Sequence, residues 1–132
     1  MCIFCDIISG KIPSYKIYED DDVVAFLDNA KDVDGHTLVV PKKHCENMLD
    51  CDDETLSKVM KVVKKISNHY VNDCGFEGIN IHNANNACAG QSVFHLHVHI
   101  LPCTNKQPLS YVPKKLSKHE IKDMYEKLKM TK

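Results

Sequence analysis

No apolar run in this sequence approaches the roughly 20 residues that a membrane-spanning helix requires, so a bilayer-embedded chain is not expected. A surplus of charge is missing too. Seventeen Lys and Arg stand against 18 Asp and Glu, a net charge of −1. That argues against the broad basic surface that nucleic acids and anionic membranes select. Gly-Lys-Ser and Gly-Lys-Thr are both absent, which excludes the phosphate loop of P-loop ATPases. Glycine and proline number only five each, and no repeat or linker interrupts the chain. The expectation is one soluble domain over residues 1–132, with room for a single core. Met1-Cys2-Ile3-Phe4-Cys5-Asp6 reaches an acid too early for an export signal. The seven cysteines are an odd number. They are therefore expected as reduced thiols in the cytoplasm, not as a disulfide framework.

What is present centres on His95-Leu96-His97-Val98-His99-Ile100-Leu101. Three histidines alternate with aliphatic residues, which is the period of a β-strand. All three imidazoles then share one face, with neighbours roughly 6–7 Å apart. Burying three unpartnered imidazoles is costly, so a purely structural role is the poorest explanation. Two chemical readings remain. His-x-His on a strand can chelate zinc, and an imidazole among polar neighbours can act as a nucleophile.

The flanking chain supplies a scaffold. Residues 3–9 read as a short helix that places Cys2 and Cys5 one turn apart, a spacing suited to a metal or a redox pair. Residues 15–18 and 23–27 read as strands around an Asp20-Asp21-Asp22 turn, and residues 36–40 as a third strand ended by Pro41. Acidic residues at 50–54 precede a helix to about Asn72. Its apolar stripe comprises Leu56, Val59, Met60, Val63, Ile66 and Tyr70. Residues 78–82 form a fourth strand, and the histidine strand is the fifth. A polar stretch over 102–113 leads to a last helix. There Ser117 and Glu120 have capping-box spacing, and Ile121, Met124, Tyr125 and Leu128 form a stripe. The fold class is α+β: a five-stranded antiparallel sheet packed by the central helix, with short helices at both ends.

Residues 83–92 are rich in Asn, Ala and Gly and end in Gly90-Gln91-Ser92. Small residues let backbone N–H groups approach a phosphate, and the polar side chains add hydrogen bonds. The loop would deliver that phosphate to the imidazole face just downstream. Histidine is a competent nucleophile toward phosphorus.

At this point the sequence resembles the histidine triad (HIT) family. Cys2-Ile3-Phe4-Cys5 with Ile7-Ile8-Ser9-Gly10, Ala25-Phe26-Leu27-Asp28, and Gly35-His36-Thr37-Leu38-Val39-Val40-Pro41-Lys42-Lys43-His44 are similar to its N-terminal half. Ala89-Gly90-Gln91-Ser92-Val93-Phe94-His95-Leu96-His97-Val98-His99 is similar to its signature. The resemblance covers about residues 2–102, and residues 103–132 are left as a C-terminal tail and helix. It implies a nucleotide hydrolase of the Hint-like branch that attacks an α-phosphorus and releases a nucleoside monophosphate from a purine nucleotide or nucleoside phosphoramidate.

By position, His97 is implied as the nucleophile, with His99 supporting the phosphate oxygens and Ser92 near the leaving group. Gly90, Gln91 and an asparagine of the loop, Asn83 or Asn85, would meet the phosphate. Asp28 would hold the ribose, and Phe4, Ile7 and Phe26 would line the base slot, with ordinary core packing an equal alternative for those three. The resemblance also implies a structural zinc on Cys2, Cys5, His44 and His95, and a homodimer with the central helix at its interface. The breadth that Val62 and Val63 add to that helix supports the dimer. Two other activities stay open: diadenosine polyphosphate hydrolysis, and non-catalytic zinc or nucleotide binding. His36, His69, His82 and His119 are left structural or exposed.

Overall fold

The computed structural model describes residues 2–109 and 115–130; the expected polar stretch therefore lies partly outside the described residues. Helix α1 (Ile3–Ile8) starts on Cys2, whose Sγ accepts from the Cys5 N–H at 3.3 Å. Strands β1 (Lys16–Glu19) and β2 (Val23–Leu27) form a hairpin. The triple acid between them is a turn, with Asp20 Oδ1 accepting from the N–H groups of Asp22 and Val23. Strand β3 (Thr37–Pro41) is fully buried. It starts at Thr37 because His36 still belongs to the loop, where its carbonyl accepts from the Asp28 N–H at 2.8 Å.

Helix α2 (Asp53–Asp73) begins on Asp52, whose side chain accepts from the Thr55 N–H at 3.0 Å. Strands β4 (Gly78–His82) and β5 (Val98–Cys103) follow. Among the described residues the five strands form one antiparallel sheet ordered β1-β2-β3-β5-β4. Its two faces are filled differently. Val23, Ala25, Val39, Val98 and Ile100 pack on Val59, Val62, Val63, Ile66 and Tyr70 of α2. Val24, Phe26, Leu38 and Val40 pack on Phe4 and Ile7 of α1. Because Val98 and Ile100 turn toward α2, strand alternation turns His97 and His99 toward the α1 face.

Four sequence-based expectations change. The histidine strand begins at Val98, not at His95. The Leu96 N–H donates to Cys45 O at 2.8 Å, so the segment before Val98 is tied to a loop and not to the β3 ladder. Helix α3 (Ile121–Leu128) begins on Glu120 with no side-chain cap, so the Ser117–Glu120 capping box does not form. Its stripe buries nothing: Ile121, Tyr125 and Leu128 are exposed. Val62 and Val63 are consumed by the chain's own core, so the breadth they add to α2 offers no surface to a partner.

Candidate active site

His95, His97 and His99 leave one short segment in three different environments. His95 is completely buried, and its Nε2–H donates to Pro41 O at 2.8 Å. That bond leaves the lone pair on Nδ1. Nδ1 faces Cys2 Sγ at 3.3 Å, Cys5 Sγ at 3.5 Å and His44 Nδ1 at 3.1 Å, and Cys5 Sγ lies 3.4 Å from His44 Nδ1. All four ligand atoms fall within 4.8 Å of one another. A tetrahedral zinc with thiolate and imidazole ligands separates them by roughly 3.3–3.8 Å. The donor set therefore fits a divalent ion, and the Pro41 bond is the outer contact that orients a ligating imidazole. Burial, then the adjacent Cys2, pushes the Cys5 thiol up. A cation would relieve the second of these effects and offset the first.

His97 is arranged the other way round. Its Nδ1–H donates to His95 O at 2.7 Å, which leaves the lone pair on Nε2. Burial holds its pKa below the usual imidazole value, against the opposing pull of the His95 carbonyl and Asp28. The ring packs edge-on against Phe4 at 5.0 Å and lies 4.9 Å from His99. Phe4, Ile7 and Phe26 are buried, and they also line a cleft of about 450 Å³ whose lining includes Asp28 and Asn29. Core and pocket wall are the same residues here.

His99 belongs to a chain of acid and imidazoles. Asp32 Oδ1 accepts from His36 Nδ1 at 2.9 Å, and His36 Nε2 meets His99 Nδ1 at 2.8 Å. Asp28 Oδ2 lies 3.6 Å from His36 Nε2, while its Oδ1 accepts from the Ala30 N–H. Burial, then the neighbouring His97, His36 and His82, pushes the His99 pKa down to about 4. The His36 hydrogen bond holds the Asp32 carboxyl below its usual range.

The Asn-rich loop is braced from within. Gln91 is buried, and its side-chain groups are all committed. Oε1 accepts from the Asn86 N–H and from Asn47 Nδ2, and Nε2 donates to Glu46 O and Val93 O. Gln91 thus shapes the loop, and its side chain is not free to meet a phosphate. Asn83 Nδ2 donates to His97 O at 2.9 Å, whereas Asn85 turns to the Met48 N–H and to Asn83. Of the two asparagines, Asn83 is the one bonded to the His97 backbone. Gly90 closes the loop at φ +99°, a conformation that favours glycine. Ser92 is exposed and lines a separate cleft with Cys2, His44 and Phe94.

Sequence reasoning missed Asp32, His36, His82 and Asn47. His36 is brought to His99 by β3–β5 pairing, in which Leu38 lies opposite His99. The His82 ring lies 5.3 Å from His99 across β4 and β5. The one available signal was the Gly35-His36 pair of the quoted motif.

A sheet backed by one helix, with alternate imidazoles on its other face, His97 against Phe4 and an Asn/Gly loop bonded to the His97 backbone, defines a histidine triad protein. The chain belongs to the HIT family: the HIT domain model matches residues 9–106. An uncharacterized HIT-like protein of Borreliella burgdorferi is 53% identical over 103 residues, 76% of this chain and 74% of that one. The adenosine 5'-monophosphoramidase hnt1 of Schizosaccharomyces pombe is 39% identical over 80% of this chain and 77% of its own. The adenylylsulfatase HINT3 of Arabidopsis thaliana is 35% identical over 92% of this chain and 61% of its own. Among solved structures, a Zn-bound histidine triad protein from Mycobacterium smegmatis is 35% identical, with a TM-score of 0.78 over 86% of this chain and 83% of that one. A histidine triad nucleotide-binding protein from Candida albicans is 32% identical, with a TM-score of 0.79 over 97% and 94%.

Proposed function

We propose that this protein is a nucleotide hydrolase of the phosphoramidase type, which cleaves a nucleoside phosphoramidate through a nucleotidyl-histidine intermediate. The observation that carries the reading is the His97–His95 O hydrogen bond, which leaves Nε2 of His97 bare and neutral on the α1 face. Nε2 attacks the α-phosphorus as the P–N bond breaks, and the amine leaves with a proton. Water then attacks the same phosphorus, freeing His97 and a nucleoside monophosphate. The names of the fission-yeast and Arabidopsis relatives support this class of reaction.

The other roles follow from position. The Phe4–Ile7–Phe26 cleft takes the purine, and Asp28 in its lining takes the ribose hydroxyls. Asn83, Gly90 and the loop backbone meet the phosphate, with Gln91 shaping that loop. Ser92, exposed in the separate cleft, is the candidate proton donor to the leaving group on the family resemblance alone. An anionic phosphate beside His99 favours one added proton on the His36–His99 pair. That proton puts an N–H on His99 Nε2, facing the phosphate oxygens, with Asp32 and Asp28 balancing the charge.

Cys2, Cys5, His44 and His95 would hold zinc, whose chemistry here is a structural cross-link between α1, the loop after β3 and the approach to β5. The Zn-bound mycobacterial relative supports that assignment. On the family resemblance we further infer a cytoplasmic homodimer whose interface does not use Val62 or Val63, built on one HIT domain with the 103–132 tail as an appendage. Among the described residues no helix is long and apolar enough to cross a membrane.

The test is turnover of an adenosine phosphoramidate by wild type, His97→Ala and His97→Asn, with a diadenosine polyphosphate in the same panel. Wild type should release AMP from the phosphoramidate, and neither variant should. AMP release that survives in a folded His97 variant would end this reading.

A further inference from the structure

We propose that Asp28, His36 and His99 form a second divalent transition-metal site, distinct from the thiol cluster. Their ligand atoms lie within 4.8 Å of one another. His36 Nε2 stands 2.8 Å from His99 Nδ1 and 3.6 Å from Asp28 Oδ2. Zinc with imidazole and carboxylate ligands at about 2.0–2.2 Å separates such atoms by roughly 3.3 Å. These two separations bracket that value, and Asp28 and His99 lie no more than 4.8 Å apart, so shifts of no more than about 1 Å per side chain admit the ion. Three protein ligands leave a fourth position for water, the arrangement of an open site. Two imidazoles with one carboxylate favour Zn, Co or Ni over Mg or Ca.

The outer contacts are also in place. Asp32 accepts from His36 Nδ1 at 2.9 Å, which orients a buried ring and keeps its Nε2 lone pair inward. A carboxylate behind a histidine is the usual support of a metal-ligating imidazole. The ion needs only that the His99 proton move from Nδ1 to Nε2. Asp28 and His36 line a cleft of about 660 Å³ together with Asp32, Asp34 and Lys31, a net acidic lining that favours cations. The metal claim stands on these residues alone. Its consequence rests on the function proposed above: an ion here occupies Asp28 and His99, so metal and nucleotide exclude each other.

The test loads the protein with one equivalent of zinc, which is spectroscopically silent, and titrates it with Co(II). One further equivalent should bind, with weak visible d–d bands and no thiolate charge-transfer band. The bands should disappear in His36→Gln and in Asp28→Asn, and Co(II) affinity should fall about 10–100-fold in Asp32→Ala. Zinc retained by the thiol cluster reports that each variant is folded, and Asp28→Asn carries the test should His36→Gln fail to fold. Uptake at the thiolates only, or undiminished uptake by the folded variants, overturns the site. AMP added last should displace the cobalt. If the cobalt binds as described but AMP leaves it in place, the metal site stands and the roles given to Asp28 and His99 in nucleotide binding fall.

Discussion

His95 and His97 stand two residues apart on one backbone and have opposite tautomers. His95 donates from Nε2 to Pro41 O and points Nδ1 at two thiols and a histidine. His97 donates from Nδ1 to His95 O and keeps Nε2 bare beside Phe4 and His99. The residue type is the same, and both rings are buried and neutral. What differs is which backbone carbonyl captures which nitrogen. On the function proposed above, one choice suits a metal ligand and the other a nucleophile, so metal and reaction need not compete for one ring.

The sharpest way to break this comparison is to remove each ring in turn. His97→Ala should reduce phosphoramidate turnover on the order of 10³–10⁶-fold, as loss of a covalent nucleophile does, while bound zinc stays close to wild type and Tm falls through the cavity and the lost bond to His95 O. His95→Ala should do the reverse in kind. The lost ligand, the orphaned Pro41 carbonyl and the cavity together cost about 3 kcal/mol. Calorimetry and metal analysis would show a lower Tm and no tightly held zinc. A stable, zinc-loaded His95→Ala protein would erase the distinction.

Smaller changes sharpen the contrast at the far end of the segment. Asp32→Ala should lower turnover about tenfold through His36 and His99, with little change in KM. A loss confined to KM would show that Asp32 acts on binding instead.

The pH profile of stability separates the same two halves. Burial depresses His99 to about 4, whereas the unfolded ring titrates near its ordinary value of 6.5. The unfolded chain therefore binds more protons in that window, and stability is lost as pH falls from about 6.5 toward 4. Tm followed across that range should slope downward with acid, and His99→Asn should reduce the slope, with His95 and His97, also lowered by burial, supplying part of the rest. The smallest effect is expected at the start of α2. Asp52→Ala removes the N-cap bond to Thr55 and should lower Tm slightly without touching turnover.

The strands, α2 and the alternation of the triad were legible because period 2 and period 3.6 are local properties of the chain. The Cys2, Cys5, His44 and His95 set was legible through motif resemblance, and the geometry of its atoms agrees with a metal cluster. His36 was not legible. It lies 63 residues from its partner His99, and only the β3–β5 register brings the two rings together. Gln91 looked like a phosphate contact because its side chain is polar. Its bonds to Asn86 and Val93 are local, but those to Glu46 and Asn47 depend on a loop 45 and 44 residues away in sequence. The stripe of α3 was read correctly as a pattern. A pattern does not state whether a partner exists, and in this chain the stripe is exposed. Val62 and Val63 teach the converse: an apolar stripe broad enough to suggest a partner was filled by the sheet itself.

The central claim is that Nε2 of His97 forms a bond to phosphorus. Intact-mass spectrometry of the protein quenched in acid-free denaturant seconds after mixing with an adenosine phosphoramidate tests it directly. The account predicts a transient adduct of one adenylyl group, mapped to His97 and absent in His97→Asn. Steady AMP release with no adduct at any time point, or an adduct that persists in His97→Asn, would contradict it.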